Sequence, residues 1–239
     1  MEAALRSAVE FEALYVDAAA VLTGALDELI GRASGAGVRV IGLAAGVLEK
    51  IADTRTPQPV LAAVRFRVVD VTALRVEGLV LVLHNIRDPG NAGTIIRSAD
   101  AAGVSAVVFS GQSVDPFNPK TVRATTGSIF HLPVAVASLE SALAHFEAGG
   151  ATTWATVVRG ATDVRDVDFR APTVVVIGNE ADGLDDAAIA RCGGAISIAM
   201  AGKSESLNAG VAASLVAFAA LWQRQGAVDI ASRPSLEGL

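Results

Sequence analysis

Apolar runs alternate with helix-like segments from residue 79 onward, and polar loops separate them. The run 79–84 (LVLVLH) has no polar alternation, which is typical of a strand buried on both faces of a parallel sheet. Further strand-like runs lie at 105–109, 152–158, 174–177 and 196–200. Apolar residues at helical spacing predict helices over 92–102, 121–126, 138–147 and 207–222. The repeated order of strand, loop and helix predicts an α/β domain with a parallel sheet.

The first 67 residues also alternate between strand-like and helix-like segments. Strand-like runs lie at 11–16, 38–43 and 60–66, and helix-like segments lie at 18–36 and 47–52. This alternation predicts a separate small α/β domain. Residues 68–78 carry no strong pattern, so we place the boundary there and predict one domain over 1–72 and a second over 73–239.

Three of the predicted strands end in loops too rich in glycine and polar residues to be simple links. These loops are 85–97, 178–184 and 201–208. Ligands of an open parallel sheet bind beyond the carboxyl ends of the strands. If the three strands are neighbours, the three loops therefore converge on one site. The last loop leads into a helix N-terminus, where backbone N–H groups face outward.

Several familiar site motifs are missing. No GxGxxG follows the first strand of the larger domain, and the segment Gly202-Lys203-Ser204 lacks the earlier glycine of a phosphate-binding loop, because Ser197 stands in its place. There is no HExxH and no metal-spaced set of cysteines and histidines, so we predict no metal site. No GxSxG motif supports a serine hydrolase.

The composition of the chain indicates which class of protein it belongs to and where in the cell it is expected. Hydrophobic residues make up 52% and charged residues 18%, which predicts a globular chain. The lone Cys192 cannot form an internal disulfide, and no signal-peptide pattern follows Met1, so we expect a cytoplasmic protein. The apolar run 209–222 is interrupted by Ser214 and is too short to cross a membrane. The net charge of −6 disfavours a broad nucleic-acid surface but leaves room for a local basic groove.

The three polar loops carry motifs of a known family. They are 85–100 (NIRDPGNAGTIIRSAD), 178–184 (GNEADGL) and 198–208 (IAMAGKSESLN). In this order they resemble the signature motifs of the SpoU (TrmH) family of the SPOUT superfamily, which are S-adenosylmethionine-dependent RNA ribose 2′-O-methyltransferases. The segment 115–130 (DPFNPKTVRATTGSIF) is similar to one common among members that act on ribosomal RNA. The resemblance spans about residues 79–222.

The resemblance has consequences for fold, substrate and assembly. It implies a trefoil-knotted, parallel-sheet α/β methyltransferase domain, preceded by a ribosomal-protein-like substrate-binding domain that is short at its N-terminus. It also implies S-adenosylmethionine as cofactor, ribosomal RNA as the first expected substrate with transfer RNA next, and a homodimer with the last helix at the interface. A non-catalytic RNA-binding module that kept the fold, or methylation of a small molecule, stays an alternative. Ala199 departs from the family, which usually has proline there.

The resemblance also assigns roles to residues. It implies catalytic roles for Asn91, Arg97, Glu180, Ser206 and Asn208, cofactor contacts from Gly178, Ile198 and Leu207, and RNA phosphate contacts from Arg87, Lys120 and Arg123. Arg97 is often described as the base, but arginine stays protonated in proteins, and a guanidinium that orients phosphate and stabilises a developing alkoxide is the simpler role.

Ordinary structural roles are open for the same residues. Asn91 can cap a helix over 92–102, and Ser206 and Asn208 can cap the last helix. Ile198 and Leu207 can be core residues. Glu180 can be a surface carboxylate, and the basic residues can be solvated surface charges.

Overall fold

The computed structural model describes residues 1–7, 9–20, 24–52, 56–66, 68–179 and 181–226. Its N-terminal part contains helices α1 (Glu2–Arg6), α2 (Ala25–Gly35) and α3 (Val47–Ile51). Strands β1 (Glu10–Asp17), β2 (Val40–Leu43) and β3 (Val60–Arg65) form a sheet in the order β2–β1–β3. The three predicted strands and the helix 47–52 are confirmed. The helix predicted over 18–36 begins at Ala25, and residues 21–23 of that prediction lie outside the described residues.

The larger part is built on seven strands. They are β4 (Leu79–His84), β5 (Ala106–Ser110), β6 (Val134–Val136), β7 (Thr152–Thr156), β8 (Thr162–Asp163), β9 (Thr173–Ile177) and β10 (Gly194–Ser197). Their order is β6–β5–β4–β9–β7–β10–β8, and every pairing between them is parallel. The predicted parallel α/β sheet is confirmed.

Helices cover both faces of the larger sheet. They are α4 (Pro89–Ala101), α5 (Pro119–Ala124), α6 (Leu139–Ala148), α7 (Asp186–Arg191) and α8 (Ala209–Gln225). Along β4, Leu81 and Leu83 pack toward the cluster that contains residues of α4 and α8, whereas Val80 and Val82 pack toward α6 and α7. Because alternate residues of a strand point to opposite faces, this buried run carries apolar residues throughout.

Several predicted boundaries were wrong. The helix predicted to start at Ala92 with Asn91 as its cap starts at Pro89, because the Asp88 carboxylate accepts the Asn91 N–H at 2.7 Å. Likewise, α8 starts at Ala209 rather than Leu207, with Asn208 as its N-cap. The prediction also missed α1, β6, β8 and α7, which have two to six residues each.

An aromatic stack connects the segment after β3 to the larger part. The ring of Phe66 stacks on Phe117 and Phe130, with centroid distances of 4.6 and 5.2 Å. Val71 and Leu74, which follow it in the chain, belong to the core of the larger sheet. The domain boundary after residue 72 stays a prediction, and so does the trefoil knot.

Among residues 1–226 with their gaps, no helix is both long and apolar enough to cross a bilayer.

Candidate cofactor and RNA site

A cavity of about 310 Å³ opens at the carboxyl end of the larger sheet. Its walls come from the segments that follow β7, β9 and β10, and from the first two turns of α8. The lining is mostly apolar and includes Ile177, Leu184, Ile189, Ile196, Met200, Ala212 and Val216. A cavity of this size and position is typical of a small-molecule site in a parallel α/β fold.

The loop after β9 closes tightly on itself beside the cavity. A Cβ added to Gly178 would lie 2.4 Å from the backbone carbonyl carbon of Gly183, so only glycine fits this close approach. Gly183 has φ +69°, a left-handed conformation that favours glycine. The Asn179 side-chain oxygen accepts hydrogen bonds from the backbone N–H groups of Ala181 and Asp182. Hydrogen bonds and close backbone packing therefore fix the conformation of the loop after β9.

All three residues predicted to contact the cofactor line this cavity. Gly178 comes from the loop after β9, Ile198 follows β10, and Leu207 precedes α8. Ser206, from the predicted catalytic set, lines the same cavity. Three separate segments of the chain thus bring four of the predicted residues to one space, although the sequence places Gly178 far from the others.

Asn91 and Asn208 meet where α4 and α8 begin. The Asn208 Nδ2 donates to the Asn91 Oδ1 at 2.9 Å, and the Asn208 Oδ1 accepts the N–H groups of Gly210 and Val211. The two helices are close together at this point, since a Cβ added to Gly210 would lie only 3.3 Å from the Thr94 methyl group. Asn208 is flanked by Leu207 and Ala209, which both line the cavity. The asparagine pair therefore lies beside the cavity.

Arg97 lies two turns along α4 and is exposed. It is not among the residues that line the cavity. Its neighbours in the helix show its direction: Gly93 packs against Ala124 of α5, and Thr94 packs against Gly210 of α8. Since residues three and four apart share a helix face, Arg97 projects to solvent between α5 and α8. Within the described residues its side chain makes no hydrogen bond or ion pair.

Glu180 lies outside the described residues, so the structure gives no contact for it. Both of its chain neighbours, Asn179 and Ala181, line the cavity. Its predicted role stays a prediction.

The three predicted phosphate contacts are exposed and lie on two adjacent segments. Arg87, in the loop between β4 and α4, donates from Nη2 to Gln112 at 3.2 Å. Lys120 and Arg123 lie on α5, whose N-terminus is capped by Asn118. Helix α5 packs against α4, which carries the exposed Arg97. None of these cations lines the cavity.

Family comparison adds to this geometry. The model of the SpoU rRNA methylase family matches residues 78–218, which is more than half of the chain. This chain is a SpoU rRNA methylase family member. The match covers all three polar loops and ends within α8.

Two relatives of this SpoU family member are named as enzymes of 23S ribosomal RNA. A guanosine 2′-O-methyltransferase of Bacillus subtilis, RlmP, is 31% identical over 182 residues, which is 76% of this chain and 72% of its own. A uridine 2′-O-methyltransferase of Streptomyces viridochromogenes is 37% identical over 193 residues, covering 77% of this chain and 67% of its own.

Solved structures of SpoU proteins match the fold. The SpoU methyltransferase AviRb of Streptomyces viridochromogenes, in complex with AdoMet (S-adenosylmethionine), matches with a TM-score of 0.82 and 32% identity, over 93% of this chain and 87% of that one. An AdoMet-bound rRNA methyltransferase of Sinorhizobium meliloti matches with a TM-score of 0.80 and 30% identity, over 92% and 84%.

Some residues of the cavity lining are not predicted by the sequence motifs. Residues 156–158, at the end of β7, form one wall of the cavity, and Asp182 adds an exposed acidic residue to the lining. The position of 156–158 at the end of a parallel strand is the signal that would have found them. Among the described residues there is no group of three or more His, Cys, Asp or Glu that could hold a metal ion.

Proposed function

We propose that this protein transfers a methyl group from S-adenosylmethionine to a ribose 2′-hydroxyl of ribosomal RNA. The observation that carries the proposal is the single cavity in which Gly178, Ile198, Ser206 and Leu207 meet beside the Asn91–Asn208 pair. Membership of the SpoU family and the AdoMet-bound structures of similar chains support the cofactor.

The cavity fits the chemistry of this cofactor. Its apolar walls, among them Ile196, Ile198 and Val216, suit the flat adenine ring, and the backbone of Gly178 and Leu207 offers hydrogen-bonding groups at its edge. When bound, S-adenosylmethionine supplies a methyl group on a positively charged sulfur, which keeps the electron pair of the carbon–sulfur bond as the ribose oxygen takes the methyl. The protein's task is to place the hydroxyl in line and to help its proton leave.

The polar residues beside the cavity suit those two tasks. The Ser206 hydroxyl and the Asn208 amide lie where the cavity meets α8, and they orient the ribose hydroxyl. Arg97, exposed on α4, binds the RNA phosphate and stabilises negative charge as the hydroxyl loses its proton. Because a guanidinium is a donor with no acceptor site, Arg97 acts electrostatically rather than as the base.

Ribosomal RNA is the favoured substrate class. Relatives that match about three quarters of this chain are named as 23S rRNA methyltransferases. The exposed cations Lys120 and Arg123 on α5 and Arg87 in the loop before α4 give an otherwise acidic protein local contacts for phosphates. Transfer RNA remains the second substrate class to test.

A second copy of the chain is the proposed partner of α8. Val211, Leu215, Phe218 and Trp222 recur every three or four residues and form one apolar stripe, and Trp222 is 64% exposed. A helix face of this kind is typical of a subunit interface, so we propose a homodimer through α8. The proposed transfer requires no metal ion, and a ribosomal substrate agrees with the predicted cytoplasmic location.

Substitution of Arg97 tests the proposal. We expect Arg97→Ala to lower methyl transfer to ribosomal RNA by about a hundredfold or more, with cofactor affinity unchanged because Arg97 does not line the cavity. Arg97→Lys keeps the charge but loses the planar donor pair, so it should recover only part of the rate. Unchanged transfer by Arg97→Ala would remove Arg97 from the mechanism. Cofactor binding without transfer to any RNA by the unaltered protein would favour the non-catalytic alternative.

A further inference from the structure

Asp182 is the one ionisable residue among the described residues that line the cavity. The other lining residues are apolar, glycine, or neutral polar residues such as Thr156, Asn179 and Ser206. Among the described residues, the exposed carboxylate of Asp182 is thus the only formal charge beside a mostly apolar wall, and a carboxylate favours a cation nearby.

The position of Asp182 is fixed by its own backbone. Its N–H donates to the Asn179 Oδ1 at 2.8 Å, and the N–H of Gly183 donates to the Asn179 carbonyl at 3.2 Å. The Asp182 carboxylate accepts no hydrogen bond and forms no ion pair within the part of the chain that the structure describes. The turn thus fixes the backbone of Asp182 in the cavity lining and leaves its exposed carboxylate without a partner among the described residues.

We propose that Asp182 makes the cavity select the positively charged cofactor over the neutral thioether that remains after methyl transfer. The inference rests on the proposed function. S-adenosylmethionine has a net positive charge at neutral pH, whereas S-adenosylhomocysteine has none, because the sulfonium charge disappears with the methyl group. The two molecules otherwise share their adenosine, ammonium and carboxylate groups, so only the charge at sulfur separates them for a nearby carboxylate.

Selectivity for the cofactor over the thioether product favours product release, and Asp182 takes no part in the methyl transfer itself. The attraction between Asp182 and the cofactor weakens once the methyl group has left, so the product is held less tightly than the reactant. Asp182 is therefore a specificity-determining residue for the cofactor.

Binding measurements on the full chain test the inference. The variant Asp182→Asn keeps the shape of the side chain and removes its charge. We expect it to weaken binding of S-adenosylmethionine by about fivefold and of S-adenosylhomocysteine by less than about twofold, as for a partly solvated charge. Sinefungin, which carries an amine where the cofactor has its sulfonium, should lose as much affinity as S-adenosylmethionine. Isothermal titration calorimetry gives all three dissociation constants.

Asp186→Asn is the matched control. It makes the same change of charge four residues away, on an exposed residue of α7 that is not part of the cavity lining, and should leave all three affinities unchanged. Raising the salt concentration should narrow the difference between the two cofactor forms in the unaltered protein but not in Asp182→Asn.

The binding measurements have four possible outcomes. A larger loss for the two cations than for the thioether supports the inference. An equal loss for all three ligands would overturn it, because the carboxylate would then bind a group that they share, and so would an unchanged set of affinities. If the unaltered protein binds none of the three ligands, the proposed function itself fails, and this result is distinguishable from the other three.

Discussion

The side-chain amide of Asn208 donates a hydrogen bond of 2.9 Å to the side-chain oxygen of Asn91. The two residues are 117 positions apart in the chain, and the bond joins the starts of α8 and α4 beside the cavity. The Asn208 oxygen caps α8 at the same time, so one side chain serves a helix terminus and the candidate site. A structural and a functional role coexist here, and substitutions can separate them.

Substitutions at Asn208 should separate its role as the cap of α8 from its role at the candidate site. Asn208→Ala removes the cap and the bond to Asn91, so we expect a loss of about 1 kcal/mol in unfolding free energy together with impaired methyl transfer. Asn208→Asp keeps an oxygen that caps α8 but removes the amide donor. Its stability should stay within about 0.5 kcal/mol of the unaltered protein while transfer still falls. Urea unfolding and a transfer assay check both; full transfer by Asn208→Asp would show that the amide donor is dispensable.

The contact between α4 and α5 should tolerate no side chain at Gly93. A Cβ there would lie 2.3 Å from the Ala124 Cβ and 2.9 Å from the Ala124 carbonyl carbon. We expect Gly93→Ala to cost about 1–3 kcal/mol of unfolding free energy, since the two helices must separate. Gly31→Ala, within α2, is the control: nothing lies within 4 Å of its added Cβ, and the change should stabilise by about 0.5–1 kcal/mol. Equal effects of the two changes would contradict the close helix contact.

The ion pair between Glu147 and Arg191 should make stability depend on acid pH. The guanidinium donates to both carboxylate oxygens at 3.1 and 3.0 Å and lowers the pKa of Glu147. Because the pKa is lower in the folded chain than in the unfolded one, the pair's contribution is present above the unfolded value, near 4.5, and is lost as pH falls through the folded value.

Comparison with a neutral variant measures this contribution. At pH 6 the unaltered protein should be more stable than Glu147→Gln by at most about 1 kcal/mol, because both side chains are about one-third exposed, and the difference should shrink as pH falls below 4.5. A difference that grows in acid would contradict the assignment.

Buried strands were the part of the fold most easily predicted from sequence. The run 79–84 matches β4 residue for residue because a strand covered on both faces must be apolar throughout. In contrast, β6 and β8 have three and two residues and exist because β5 and β10 lie beside them, so no local pattern marks them. The start of α4 had a local signal, since Pro89 favours the first helical position and so points to Asp88 as the cap.

Motifs identified the loops of the candidate site but not their arrangement. The sequence could not show that β7 lies between β9 and β10, and the prediction therefore omitted the wall formed by residues 156–158. The three strands that precede these loops, β4, β9 and β10, are not all neighbours in the sheet. The loops after β9 and β10 nevertheless line one cavity. The hydrogen bond between Asn91 and Asn208 connects the segment after β4 to the same region. The exposed position of Arg97 depends on how α4 packs against α5 and α8, which is a tertiary property.

The most direct test of the central claim is to locate the methyl group in the product. The protein would be incubated with radiolabelled S-adenosylmethionine and unmodified ribosomal RNA, with transfer RNA in parallel, and the labelled RNA would be hydrolysed in alkali. A 2′-O-methyl group blocks cleavage at the neighbouring phosphate, so we predict label in alkali-resistant dinucleotides from ribosomal RNA. Label in mononucleotides would mean that a base was methylated. Label in mononucleotides with none in the alkali-resistant dinucleotides would contradict the proposed reaction.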